Sequence, residues 1–189
     1  DCVTFVNTVI ALAKGYDLAS FRTALFNLSY DQGQVAYQHR NHFMSADWNI
    51  NNAQNGFIKD VTHAVKDNDK AAIIERAHAE INKPACYQHK TFANLHFLAG
   101  AGASLYQQRL SALHAMALEH AVESVVTPYL ALTQLFDRQG MPVITVWDQL
   151  PACCVLQIVR PNWDMRSKIG TRLNISHLGF VWRDGSGAH

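Results

Sequence analysis

No apolar run in this 189-residue chain is long enough to cross a bilayer. The longest weakly polar stretch, LHFLAGAGASLY at 95–106, falls well short of the ~20 residues a spanning helix needs. Charge of one sign is missing too. Sixteen basic and fifteen acidic residues leave a net charge of +1, and none of them form runs. That excludes the electrostatic footprint of a nucleic-acid binder and a polybasic membrane anchor. Cysteine is scarce: Cys2, Cys86, Cys153 and Cys154 are too few for a disulfide framework, and a bridge between the adjacent last two would be strained. HExxH and Cys-x-x-Cys patterns are absent, as are repeats and low-complexity linkers. The chain opens on Asp1, so it is silent about any leader peptide.

What is present is an ordinary globular composition, 49% apolar and 16% charged, long enough for one domain over 1–189. DCVTFVNTVIALAK opens with helical apolar spacing at Val6, Val9, Ile10 and Ala13. Asp1 suits the N-cap, and Lys14-Gly15 suits the stop. Ser20 is positioned to cap a second helix. Residues 31–62 are polar, Asn-rich and aromatic, and read as recognition loops with short strand-like pieces. Helical spacing returns from Asp67 to Ile81. A long helix is expected at about 104–126, ended by Pro128, with a shorter one reaching Gly140. The last fifty residues read as sheet: VLQIVRP (155–161), ISHLGFVW (175–182) and a DGSG turn (184–187). Helices first and strands last point to an α+β fold.

Chemistry enters at Cys2. In the first turn of a helix, unpaired N–H groups and the helix dipole favour a thiolate, the form in which cysteine is a nucleophile. A small buried hydrophobe is the competing reading. A nucleophile needs a base, and ten histidines are on offer. The pairs His39/His42 and His114/His120 lack metal-site spacing and read as surface or satisfied-core residues. His177 is different. It alternates with Ile175, Gly179 and Val181 on one strand face, whereas Leu178, Phe180 and Trp182 look like core on the other. His189 follows twelve residues later, beyond the turn (189 − 177), where a reversal could bring it against the His177 ring.

DC followed by an apolar helix, SHLGFV on a late strand and a histidine twelve residues on resemble the NlpC-type, papain-like cysteine peptidases. DCVTFVNTVIALA, HRNHFMSADW, KDVT, IVRPNWD and ISHLGFVWRDG narrow the likeness to the N-acetylmuramoyl-L-alanine amidase-like branch. Two departures stand out. Asn7 occupies a position where glutamate is expected, and LPACCVLQ replaces a Pro-rich turn with glycine.

The resemblance implies a papain-like α+β domain whose Cys-bearing N-terminal helix packs on an antiparallel sheet, with a helical insertion at about 94–140. It implies Cys2 as nucleophile, His177 as general base and His189 as the orienting residue. It implies no metal or organic cofactor, peptidoglycan fragments as partners, and a bacterial-envelope location, the periplasm being the expectation. Oligomeric state stays open. The reaction implied is hydrolysis of the amide between N-acetylmuramic acid and L-alanine. The competing readings are a γ-D-glutamyl–diamino-acid endopeptidase and a silent wall-binding module. For recognition, Arg40 could grip a peptide carboxylate, Trp48 could stack on a sugar ring, and His42, Asn51 and Asn52 could add polar contacts. Tyr30 and Tyr37 are candidate wall residues. A structural ion pair for Arg40 and a core position for Trp48 are the alternatives.

Overall fold

The computed structural model describes residues 1–189 except 68–70, 96–101, 185–186 and 189. In chain order the elements are α1 (Cys2–Lys14), α2 (Leu18–Ser29), α3 (Asn49–Gln54), β1 (Glu75–Asn82), α4 (Lys83–Gln88), α5 (Ala103–Met116), β2 (Val122–Tyr129), α6 (Leu132–Leu135), α7 (Ile144–Trp147), β3 (Cys153–Asp164), α8 (Arg166–Ile169), β4 (Arg172–Asp184) and β5 (Gly187–Ala188). The fold is α+β. β1 pairs with β2, and β3, β4 and β5 form a second sheet in that order.

Contacts divide the chain into two compact units: Asp1–Ala77 with Val126–Arg160 and Ile175–His189, and His78–Val125 with Pro161–Asn174. The first contains the apolar clusters that position α1. Val6, Trp48 and Leu178 are all but fully buried, with Cys2, Val3, Ile10, Met44, Ile58, Val155 and Phe180 packed around them. A neighbouring cluster of Ala11, Ala24 and Leu28 joins α1 to α2, and Ile10 belongs to both surrounds. Each such side chain taken fully out of water contributes ~1.5–3 kcal/mol, so these clusters hold the two helices far more strongly than helix propensity could.

Helix starts follow local chemistry. The Asp1 carboxylate accepts from the Thr4 amide at 2.7 Å, and α1 runs to Gly15 as its sequence demands. α2 begins earlier than Ser20. Asp17 is the N-cap, accepting from the Ser20 amide at 2.7 Å, while the Ser20 hydroxyl accepts from the Asp17 amide at 3.0 Å. The Ser20 hydroxyl and the Ser20 amide, both donating to the Asp17 carboxylate, hold it below its ordinary pKa. Ser20 is therefore the second half of a reciprocal capping box, not the cap itself.

Four sequence expectations change. Among the described residues, the 67–81 segment forms no helix. Asp67 bonds Ala71 through both its backbone and its carboxylate, and Glu75–Asn82 is a strand. Ala77, Ala79 and Ile81 are buried in alternation, so burial on a period of two overrides helix-favouring Ala and Glu. The helix expected over 104–126 ends at Met116. Leu113 and Ala117 are buried as its stripe requires, but Val122, Val125, Val126 and Thr127 are β-branched and form β2, with Pro128 inside that strand. The segment at 94–140 is thus not wholly helical. The helix reaching Gly140 is a single turn, α6. The chain then folds back through a Phe136–Pro142 bridge, with Asp137 accepting from the Gln139 and Met141 amides. Residues 31–62 are short helical turns rather than strand-like pieces. A π-turn at Met44–Trp48 leads into α3.

In the second unit, Gly170 ends α8 at φ +82, and a β-carbon there would collide with the Ala85 carbonyl and the His89 side chain. Gly170→Ala is expected to lower the melting temperature clearly, since the left-handed backbone alone costs roughly 1–3 kcal/mol. An unchanged melt would contradict this packing.

Candidate active site

Cys2 is the first residue of α1, half-buried, and its thiol is free. With the Thr4 amide taken by Asp1, the amides of Cys2 and Val3 are the first-turn donors outside the cap. They point along the positive end of a 13-residue helix, where a thiolate or an oxyanion is stabilised. The sulfur packs against the Val6–Trp48–Leu178 cluster, so one end of α1 is held against β4 by apolar contact.

His177 lies on β4, immediately before Leu178, and is exposed. Strand alternation assigns it to the side of Ile175, Gly179 and Val181, and Leu178 and Phe180 to the other side. Ile175 and Val181 are buried, so both sides of β4 are covered around an open histidine. The structure therefore brings the elements carrying Cys2 and His177 into one compact unit, α1 and β4 meeting through Val6 and Leu178. Cys2 packs against this cluster, and no hydrogen bond links thiol to imidazole among the described residues. Trp182, expected in the core, is 50% exposed, because the apolar cluster stops at Phe180.

His189 lies outside the described residues. β5 does turn back antiparallel along β4, pairing Asp184 with Gly187 and Arg183 with Ala188. The return strand thus starts opposite Asp184, seven positions past His177 (184 − 177).

The recognition residues separate sharply. Arg40 is exposed beside the Tyr30–Arg40 bridge, and its guanidinium has no ion-pair partner among the described residues. The structural ion pair is thereby set aside, and Arg40 stays available to an anion. His42 is half-buried. Its Nε2 is 3.0 Å from the Tyr37 carbonyl oxygen and its ring lies against the Tyr37 ring, with centroids 4.4 Å apart. Asn51 donates to the Asn41 side chain at 2.6 Å. Tyr37 is partly exposed and Tyr30 half-buried.

Trp48 and Asn52 are corrections. Both have no exposure. The Trp48 indole donates to Asn7 Oδ1 at 2.8 Å inside the main cluster, and Asn52 donates to the Leu28 carbonyl at 3.2 Å. Neither can meet a sugar. The same geometry explains Asn7, which is 3% exposed: its carboxamide accepts from Trp48 while donating to the Ser29 hydroxyl at 3.0 Å. A carboxylate could accept but not donate there, and its charge would be buried.

The remaining thiols are free. Cys86 is buried, Cys154 half-buried and Cys153 exposed. Burial raises the Cys86 and Cys154 thiols above their ordinary values. Cys153 adds to the Cys154 shift, and Arg183 opposes it. His114 Nε2 bonds the Lys90 carbonyl oxygen at 2.9 Å, and His120 stacks on Tyr87. Among the described residues, no group of three or more His, Cys, Asp or Glu is placed to hold a metal ion, and no helix is long and apolar enough to cross a membrane.

Sequence reasoning missed one feature beside the site. Asn49 and Gln157 form a reciprocal amide pair, at 3.1 and 2.7 Å, that ties the start of α3 to β3. The two residues are 108 positions apart, and no local pattern announces the pairing.

None of the curated proteins matches the chain. Among solved structures, a Legionella pneumophila protein of the DUF1460 family is 38% identical with a TM-score of 0.92. The alignment covers all of this chain and 62% of that one, so the chain spans about three-fifths of its relative's length. An N-acetylmuramoyl-L-alanine amidase from Bacteroides uniformis is 19% identical with a TM-score of 0.57, covering all of this chain and 67% of that one. A Bacteroides fragilis protein provisionally named a xylanase is 18% identical with a TM-score of 0.54, covering all of this chain and 70% of that one. At those lower identities the likeness is one of fold alone. The family model described as AmiA-like, N-acetylmuramoyl-L-alanine amidase-like, matches residues 1–189 from end to end, and the chain belongs to that family.

Proposed function

We propose that this chain is a cysteine-dependent hydrolase of peptidoglycan fragments, cutting the amide between the lactyl group of N-acetylmuramic acid and L-alanine. The observation that carries the reading is the free, half-buried thiol in the capped first turn of α1, in a chain that matches the amidase-like family throughout. The Cys2 thiolate attacks the amide carbonyl, forming a C–S bond while the oxygen takes up the charge. The Cys2 and Val3 amides lie where that oxyanion would form. Protonated His177 gives its proton to the departing nitrogen of L-alanine as the C–N bond breaks. The now neutral imidazole takes a proton from water, whose oxygen displaces sulfur from the thioester. His189 would orient the His177 ring. Arg40 would pair with a peptide carboxylate. A peptidoglycan substrate fits a bacterial-envelope location, with the periplasm as the proposed compartment.

This mechanism requires imidazole and sulfur to come within hydrogen-bond reach. Such contacts are commonly loose in ligand-free enzymes and tighten with substrate. Site-resolved alkylation tests the pairing. His177→Ala is expected to slow Cys2 alkylation at neutral pH several-fold, because the base that takes up the thiol proton is gone. Equal alkylation rates in the two proteins would remove His177 from the mechanism. Product analysis tests the bond cut. N-acetylmuramoyl-L-alanyl-D-isoglutamine should yield N-acetylmuramic acid and the dipeptide, whereas release of the diamino acid from a longer muropeptide would mark an endopeptidase instead.

A further inference from the structure

An open groove of ≈470 Å³ lies at the corner where α1 passes into α2, formed in part by Tyr16, Asp17, Thr23, Asn27 and Phe57. We propose that it is a second saccharide subsite, binding an N-acetylated amino sugar of a glycan chain away from Cys2. The proposal rests on the cell-wall reading for the identity of the glycan. The groove itself supplies the ligand chemistry.

Tyr16 is 90% exposed and Phe57 half-buried, so two aromatic side chains border the groove, and the C–H face of a pyranose packs on such surfaces. Polar groups with unused capacity lie between them. Asp17 Oδ1 accepts from the Ser20 amide and hydroxyl, and the Ala19 amide also bonds the carboxylate, which keeps lone pairs to spare at the rim. Thr23 donates to the Ala19 carbonyl at 3.0 Å, which leaves its oxygen free to accept. The Asn27 carboxamide is half-buried and makes no hydrogen bond among the described residues. Solvent reaches this carboxamide, and an acetamido carbonyl can take the place of water by accepting from its N–H. The Asp17 carboxylate repels phosphates and other anions. An apolar peptide would leave the carboxylate and carboxamide unpaired.

Position gives the groove a role distinct from the catalytic one. It lies past the C-terminal end of α1, and Cys2 lies at the N-terminal end, about 20 Å away at 1.5 Å per residue. A muramoyl dipeptide with one sugar cannot occupy both sites, but a fragment carrying several sugars can.

The test titrates the Cys2→Ala chain with N-acetylglucosamine tetrasaccharide and follows the amides of Tyr16 to Asn27 by NMR. Saturable shifts confined to the groove are expected. Tyr16→Ala should weaken binding about tenfold and Tyr16→Phe should restore it. Asn27→Ala should erase the preference for this probe over cellotetraose. In otherwise wild-type protein, Tyr16→Ala should leave turnover of the muramoyl dipeptide unchanged and raise KM for multi-sugar wall fragments. Absence of groove shifts, or binding unchanged in both Tyr16→Ala and Asn27→Ala, would overturn the subsite. Loss of dipeptide cleavage in the wild type with sugar binding intact would instead overturn the amidase reading and leave the groove standing.

Discussion

Cys2→Ala is expected to reduce release of N-acetylmuramic acid from N-acetylmuramoyl-L-alanyl-D-isoglutamine by at least ~10³-fold, because alanine offers no electron pair with which to form the thioester. The fold should survive the change. The α1 cap runs from Thr4 to Asp1 and does not involve the thiol, and the cluster beneath it keeps Val6, Trp48 and Leu178. Binding and catalysis should therefore separate, with near-normal affinity for the muramoyl dipeptide and the loss confined to kcat. Cys2→Ser should be almost as inactive, since a serine hydroxyl is not ionised by a helix terminus near neutral pH. Turnover by Cys2→Ala equal to the wild type would end the cysteine mechanism, whatever the products.

Trp48→Ala is expected to lower unfolding free energy by ~3–5 kcal/mol. The side chain is fully buried between Val6 and Leu178. Its removal leaves a cavity that α1 on one side and β4 on the other can close only in part. It also strips Asn7 Oδ1 of the indole donor, and a buried acceptor left without a partner costs ~1–3 kcal/mol more where water cannot enter. Against a typical domain stability of ~5–15 kcal/mol, that is a large fraction. Urea titration with tryptophan-independent detection would measure it. Trp48→Phe should cost less, because it keeps one aromatic ring in the cavity although it too removes the donor to Asn7 Oδ1. Had Trp48 been a sugar platform, alanine would raise KM and leave the urea midpoint in place; that pattern would contradict the packing described here.

The two ends of the site were unequally legible. α1 could be read because its signals are local: a carboxylate cap at Asp1, apolar spacing through Val6 and Ile10, and a stop at Gly15. β4 was legible through the alternation of ISHLGFVW. Ala77 and Ala79 misled for the opposite reason. Their propensity is helical, and only partners far along the chain make alternate burial the better arrangement. Trp48 misled because its sequence neighbours, Asp47 and Asn49, are polar. What buries it is Asn7, 41 residues away, which satisfies the indole inside an apolar cluster.

By itself the sequence determined the class of chemistry on offer: a thiol at a capped helix start, a histidine on a late strand, and the motifs of an amidase-like family. Those features depend on residues within a turn or two of one another, where sterics, caps and side-chain period act directly. Tertiary structure alone decided which polar residues were free to act. It enclosed Trp48 and Asn52, kept Arg40 open and set Cys2 against the Val6–Trp48–Leu178 cluster. Burial and pairing between distant segments are collective outcomes of packing, and no short window of residues contains them.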